Sequence, residues 1–289
     1  DVVQAMDAQT VSAQAGVTIP WSGYYFAKAG LLNPQQFAAE VTNLPLVNLR
    51  KQEIFAIRLA TTSVESAHWQ KADRDAAHWE LLDESGQVIA TTSQLSLCTA
   101  LSTPALVPSG LTAKPLPALQ AIRGQISRIP APCPLRLPLS YGGYAACVEG
   151  DWMLGASFIR GDSDSTVREA DHGHNARLLA QALGCSEHND HPVLATLPPV
   201  SEWQGRASIR AQTRDYLPWA GTLTGDTEGM QASSVPLAPL FAPLLSVLTG
   251  LGSKGFAFAP LCAEMMVSAA LGEALPVSHS LHHSLRVCR

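Results

Sequence analysis

The chain has 289 residues, 46% of them hydrophobic and only 15% charged, against about a quarter charged in ordinary soluble domains. That composition excludes an intrinsically disordered chain and supplies material for one large core or two interleaved ones. With 19 basic against 24 acidic residues the net charge is −5, which excludes a coat for nucleic acid built on bulk positive charge and leaves room only for a local basic patch.

Val3, Met6, Val11 and Ala15 recur at helical intervals and stop at Gly16, which predicts a helix over residues 2–15. Residues 24–26 form a short aromatic strand pattern, and Asn33-Pro34 predicts an N-cap with proline at the first position of a helix reaching about Val41. Strand patterns follow at 47–59, 78–82 and 87–91, the last two joined by the turn Asp83-Glu84-Ser85-Gly86. Residues 96–100 read as a buried strand running into a tight loop, and a proline-rich connector covers 104–117. Further strands are predicted at 121–129, 144–148 and 152–159, a helix over 167–183, strands at 207–212 and 245–249, and a last helix over 260–271. Runs of strands with few helices, lacking strict βαβ alternation, point to an α+β or mixed fold with an antiparallel component.

The uncharged stretch 229–253 is long enough to raise the question of a membrane span. Pro236, Pro239 and Pro243 remove backbone donors there and Gln231, Ser233 and Ser234 add polar groups, so a buried loop and strand is expected and no membrane contact. Cys98, Cys133, Cys147, Cys185, Cys262 and Cys288 show no zinc-knuckle spacing, and no secretory pattern opens the chain, so reduced thiols and a cytoplasmic protein are expected. The chain opens at Asp1 in mid-pattern, which reads as a piece of a longer protein.

Gly250-Leu-Gly252-Ser-Lys-Gly255 satisfies G-x-G-x-x-G between an apolar run and a helix. Such a turn bares backbone N–H groups at a helix N-terminus that favours negative charge. Too little chain follows for a βαβ unit with its ribose-binding acid, so the loop is expected to be a late, secondary cofactor contact. Arg206, Arg210 and Arg214 share one face of a regular strand, where they form either a solvated basic face or a guanidinium site for a carboxylate or phosphate. His172-x-His174 and His279-x-x-His282-His283 lack supporting ligands and are expected to be loop histidines, with no metal. A G-x-S-x-G elbow and a P-loop are both missing, which removes serine hydrolases and nucleotide triphosphatases.

Several segments carry a resemblance when taken in order: Gly23-Tyr-Tyr with Gly30-Leu-Leu-Asn-Pro34, Ile122-Arg-Gly-Gln-Ile126, Tyr141-Gly-Gly-Tyr144 with Gly155-Ala-Ser157, Thr213-Arg-Asp-Tyr-Leu-Pro218 with Gly221, and Gly252-Ser-Lys-Gly255 leading to Ala259-Pro-Leu-Cys-Ala-Glu264. Over most of its length the chain resembles the D-amino-acid-oxidase-like flavoproteins. The last two segments are similar to the branch found as the oxidoreductase module of bacterial bifunctional tRNA-wobble-modifying enzymes.

The resemblance implies an α+β / α/β two-domain flavoprotein in which a partial Rossmann-type FAD domain is interleaved with an antiparallel-sheet substrate domain. Residues 1–23 and 119–213 would belong to the substrate domain, and 24–118 and 214–289 to the FAD domain. The N-terminal GxGxxG segment of such proteins is absent from this chain, as is the methyltransferase module expected in the full-length enzyme. The implied cofactor is FAD and the implied partner is tRNA, met by a local basic rim of Lys254, Arg286 and Arg289. The implied reaction strips the carboxymethyl group from 5-carboxymethylaminomethyl-(2-thio)uridine and leaves the aminomethyl base. The alternatives are a small-molecule amine or amino-acid oxidase of glycine-oxidase type, and a non-catalytic fragment.

By the same resemblance, Arg210 would clamp the substrate carboxylate and Tyr144 would hydrogen-bond in the active site. Gly252, Ser253, Lys254, Gly255 and Phe256 would line the flavin's pyrimidine edge, with Lys254 or a backbone N–H stabilising charge that develops there. Arg123, Gly124, Gln125 and Arg214 would complete the cofactor contacts; the other reading of 123–125 is an ordinary strand with solvent-facing polar residues. Phe256-Ala-Phe258 stands where sarcosine oxidases carry a carboxylate-binding lysine, which counts against that assignment.

Overall fold

The computed structural model describes residues 2–60, 77–112, 115–185, 191–223 and 244–287. They form two compact units, one from Asp1–Arg50 and Arg123–Ile209, the other from Lys51–Ile122 and Arg210–Arg289. Residues 24–50, expected with the FAD-binding part, group with the first unit.

The run predicted as one N-terminal helix is divided at Asp7. Its carboxylate accepts the Thr10 N–H at 2.8 Å and caps helix α1 (Ala8–Ala15), while β1 (Gln4–Met6) before it is extended and pairs antiparallel with β2 (Gly23–Tyr25). Gly16 ends α1 at φ +82°, and a Cβ there would lie 2.8 Å from the Pro134 carbonyl, so the turn requires glycine. Helix α2 (Pro34–Thr42) starts as the sequence predicts, with the Asn33 side chain accepting the N–H groups of Gln35 and Gln36.

The second unit opens with β3 (Ala56–Ala60), β4 (His78–Leu82) and β5 (Val88–Thr92), an antiparallel sheet in that order. Of the run predicted at 47–59 only the end is strand, because only that part pairs with β4. The Asp83 carboxylate accepts the Gln87 N–H and the Ser85 hydroxyl at the β4–β5 turn. Strand β6 (Gln94–Leu97) leads into a 3-10 turn and a short helix α3 (Thr103–Leu106), the start of the proline-rich connector.

The long β7 (Gln120–Pro132) leads back into the first unit, followed by β8 (Leu139–Tyr141), β9 (Gly143–Val148), β10 (Asp151–Gly155), β11 (Ile159–Arg160), helix α4 (Glu169–Ala182) and β12 (Gln204–Gln212), whose last three residues, from Arg210, belong to the second unit. The sheet runs β11-β7-β10-β9-β8 with β12 also on β7, and its β7–β10–β9–β8 pairings are antiparallel. Its core packs Ile129, Ala145, Trp152 and Leu154 of the sheet against Ala176, Leu179 and Ala180 of α4. Each large apolar side chain buried there contributes roughly 1.5–3 kcal/mol.

The chain ends in the second unit with β13 (Trp219–Thr222), β14 (Leu244–Thr249), α5 (Gly255–Leu271) and α6 (His279–Leu285). Strand β14 lies between antiparallel β13 and parallel β6, over a core that includes Ile57, Trp79, Trp219 and Leu245. Helix α5 begins before the predicted residue 260, and Pro260 lies inside it. Strands β1, β8 and β13 and helix α6 were beyond sequence periodicity, being three to seven residues long. The histidines expected in loops are helical: His172 and His174 on α4, His279, His282 and His283 on α6. Much of the 229–253 stretch lies outside the described residues; its 244–249 part is the buried strand β14. Among the described residues no helix is long and apolar enough to cross a membrane, and no three His, Cys, Asp or Glu side chains gather as metal ligands.

Candidate functional site

In the first unit β7 carries a polar cluster into the interior. Arg123 has no exposure at all; its guanidinium donates to the Asp164 carbonyl at 2.7 Å, the Thr166 carbonyl at 2.5 Å, Gln125 Oε1 at 3.0 Å and the Asp171 carboxylate. Gln125 in turn donates to the Arg168 carbonyl and accepts the Arg168 N–H, both at 2.8 Å. The Ser157 hydroxyl receives the Gln125 N–H, and the Ser157 N–H returns to the Gln125 carbonyl. These bonds tie β7 to the segment before α4 and to the first turn of that helix, where Asp171 sits. The reading of 123–125 as a strand with solvent-facing polar residues is overturned, because β7 is covered on both sides along this stretch. Residues missed as part of this arrangement are Ser157, whose hydroxyl meets the strand, and Asp171, which the sequence hides among ordinary helix-start acids.

Arg168 caps the outside of the cluster with paired contacts to Asp162 at 2.5 Å and Asp164 at 2.8 Å. Hydrogen bonds from Arg168 hold both carboxyls below the ordinary aspartate range.

Tyr144 lies on β9 opposite Gly155 of β10. Its ring crosses that glycine so closely that a Cβ on Gly155 would fall 2.2 Å from Tyr144 Cζ. The glycine quoted for its motif is therefore the floor on which the tyrosine ring rests. Neighbouring Tyr141 is held in its neutral form, first by burial and then by the adjacent Tyr144.

In the second unit the glycine loop follows β14. Gly250 and Gly252 adopt φ +73° and +55°, and Cβ atoms there would lie 2.6 Å from Thr213 Cγ2 and 2.7 Å from the Gln212 amide oxygen. The Gly252 N–H donates to the Ala211 carbonyl at 2.9 Å, and Gln212 bridges to Leu251. Buried Gln212 thus shapes the loop, and the sequence offers no signal for it beyond its place at a strand end. The loop passes directly into α5 with Lys254 at the cap position, where no side chain caps the helix. Ser253, Lys254 and Phe256 are exposed. The positive end of a long helix, a lysine ammonium and a hydroxyl are thereby presented together, an arrangement that receives a developing negative charge.

Of the three evenly spaced arginines, Arg206 and Arg210 share the β12 face, whereas Arg214 lies beyond the strand in the turn 214–216 and is exposed. Arg210 is half-buried and Arg206 exposed. The turn is closed by the Thr213 hydroxyl donating to the Leu217 carbonyl at 2.6 Å.

The chain is matched over residues 3–269 by the family described as DAO, FAD dependent oxidoreductase. It is 33% identical to the tRNA 5-methylaminomethyl-2-thiouridine biosynthesis bifunctional protein MnmC of Methylibium petroleiphilum, covering 98% of this chain and 42% of that protein. The protein of the same description from Acinetobacter baylyi is also 33% identical, over 99% of this chain and 38% of its own length. The chain thus spans less than half the length of these relatives. Among solved structures, glycine oxidase from Geobacillus kaustophilus superposes with a TM-score of 0.67 at 16% identity, covering 99% of this chain and 67% of the other. L-proline dehydrogenase from P. horikoshii gives 0.65 at 13% identity, covering 95% and 66%. These two likenesses establish the fold.

Proposed function

The chain belongs to the DAO family of FAD-dependent oxidoreductases, and from that premise we propose that it is the oxidoreductase part of a bifunctional tRNA-modifying enzyme. Its substrate on this reading is 5-carboxymethylaminomethyl-(2-thio)uridine at the tRNA wobble position, its partner module a methyltransferase, and its compartment the cytoplasm. The observation that supports it is the 33% identity to two such bifunctional proteins across 98% and 99% of the chain.

FAD is the family's cofactor, and the 250–255 loop fits it: the glycines keep side chains away from the turn, and the uncapped start of α5 with Lys254 complements an electron-rich ring edge. When bound, FAD would supply acceptance of a hydride from the carbon between the amine nitrogen and the carboxylate; with loss of the N–H proton this would leave an imine that water would split into glyoxylate and the aminomethyl base. The residues have separate tasks. Arg210 pairs its guanidinium with the substrate carboxylate. Tyr144, braced on Gly155, offers a hydroxyl of fixed position. Lys254 and the N–H groups at the start of α5, with Gly252, Ser253, Gly255 and Phe256 around them, stabilise negative charge. Arg214 and the Arg123-Gly124-Gln125 segment support the cofactor, Arg123 as a buried strut. The basic rim for tRNA comprises Lys254 and Arg286, with Arg289 outside the described residues.

The test is glyoxylate release by the FAD-loaded protein from tRNA that carries the carboxymethylaminomethyl base, compared with free glycine and sarcosine. Release from the tRNA with little turnover of the small amines is the expected result. Turnover of glycine without release from tRNA would establish the glycine-oxidase alternative, and protein that stays colourless with added FAD would establish the non-catalytic one. Arg210→Ala should raise KM for the tRNA by about ten- to a hundredfold with a smaller change in kcat, since a charge-assisted bond is worth about 1.5–3 kcal/mol.

A further inference from the structure

A cavity of about 340 Å³ opens in the first unit between α1, β2 and β8, and none of the residues assigned above to flavin or carboxylate lines it. Its walls are aromatic: Trp21, Tyr24, Tyr25 and Tyr141. Two of these rings are strongly exposed, Trp21 at 57% and Tyr24 at 75%, on a unit whose other tryptophans, Trp152 and Trp203, are buried. The Trp21 indole is held at one end, its N–H donating to the Gln181 carbonyl at 3.4 Å. Besides the tyrosines, the polar side chains that line the space are Gln14, Ser22 and Ser140, all neutral, and no Asp, Glu, Lys, Arg or His lines it. The space therefore suits a flat, uncharged ring with donors and acceptors along its edge.

A second observation lies beside it. The cavity wall at Leu137 and Pro138 follows directly on Arg136, whose own N–H donates to the Ala15 carbonyl at 3.0 Å and fixes the segment against α1. Arg136 is exposed, forms no ion pair among the described residues, and lines an open depression of about 500 Å³ on the adjoining side of α1. His191 also lines it, its Nδ1 accepting the Val193 N–H at 3.2 Å and its Nε2 lying 3.2 Å from the Thr18 carbonyl. Among the described residues Arg136 is the one lysine or arginine that lines the depression, and it directly precedes the Leu137–Pro138 wall of the aromatic slot.

We propose that this pair of features is a nucleotide subsite, in which one unpaired base of the RNA substrate stacks on Trp21 and Tyr24 while Arg136 meets the adjoining phosphate. The proposal rests on the tRNA reading above and adds to it a point of substrate contact on residues that reading does not use. Stacking on aromatic faces is sequence-tolerant, so the subsite contributes affinity rather than base choice.

The test is binding of an unmodified anticodon stem–loop RNA, and of uridine 5′-monophosphate as the minimal probe, followed by tryptophan fluorescence at two salt concentrations. Quenching by the mononucleotide that disappears in Trp21→Phe is expected. Trp21→Ala and Tyr24→Ala should each weaken stem–loop binding about tenfold, and Arg136→Ala should weaken it while lowering the salt slope by about one. All three side chains are exposed, so unchanged circular dichroism and melting should accompany the losses. Equal stem–loop affinity in parent and variants overturns the subsite and leaves the tRNA reading standing. RNA that fails to bind the parent protein overturns both. Saturable binding of N-acetyl-phenylalanine amide without the nucleotide assigns the cavity to a peptide and overturns the subsite.

Discussion

The Arg123 cluster of the first unit and the 250–255 loop of the second are both polar and both contain glycine, but they use these properties in opposite ways. Around Arg123 every bond is turned inward: an arginine, a glutamine and an aspartate satisfy one another and nearby carbonyls in a fully buried setting. Around Gly252 the loop is held through backbone, its N–H on the Ala211 carbonyl and Leu251 bridged to Gln212, while its side chains stay open. The backbone is bent by two positive-φ glycines, the helix that follows has no side-chain cap, and Ser253 and Lys254 remain exposed. Where a polar group is saturated by the protein it builds scaffold, and where polar groups are left open at a rigid turn they are available to a ligand.

The largest test of that contrast is to remove one partner of the buried pair. Asp171→Ala leaves the Arg123 guanidinium without its carboxylate and should cost about 3–5 kcal/mol in urea unfolding. By comparison Lys254→Ala, on the open loop, should change stability by less than about 0.5 kcal/mol. If the two substitutions cost the same, the distinction between scaffold and site fails. An intermediate effect is expected for Gly252→Ala, which places a Cβ 2.7 Å from the Gln212 amide at a positive φ and should cost about 1–3 kcal/mol. Gln212→Ala in the same background should relieve part of that cost, which a double-mutant cycle would measure.

Gly155→Ala sharpens the comparison within the first unit. The added Cβ collides with the Tyr144 ring, so turnover should fall at least as far as in Tyr144→Phe while the sheet stays folded by circular dichroism. The smallest effect concerns pH. Burial holds the His172 imidazole below its ordinary value of 6.5, with weaker opposition from Asp171 and Glu169. Its folded form therefore binds fewer protons than the unfolded chain, so its contribution is fully present above about pH 6.5 and is lost as pH falls through the folded pKa. His172→Asn should flatten the stability profile on that acidic side, as read by urea midpoints between pH 5 and 8.

Local chemistry made much of this legible from residues alone. Asn33-Pro34 caps and starts α2, Asp83 and Gly86 close the β4–β5 turn, and the apolar run at 245–249 is the buried strand β14. Each depends on a side chain acting within a few residues of itself. The same reasoning missed Asp7, because helical spacing at 3, 6, 11 and 15 fits one continuous helix unless the cap interrupts it. It also allowed 123–125 to face solvent, since alternation along a strand reveals one buried face and not what covers the second.

By itself the sequence determined the family, the strand-rich mixed fold and the motifs at which chemistry is expected, because these rest on residue order, spacing and turn-forming glycines. Tertiary structure alone decided which polar residues are scaffold and which are open. Arg123 and Lys254 carry the same charge, and only long-range packing buries the first against Asp171 and leaves the second at an uncapped helix end. It also brought Trp21, Tyr24 and Tyr141 around one cavity, a grouping that joins residues more than a hundred positions apart and so leaves no trace in local pattern.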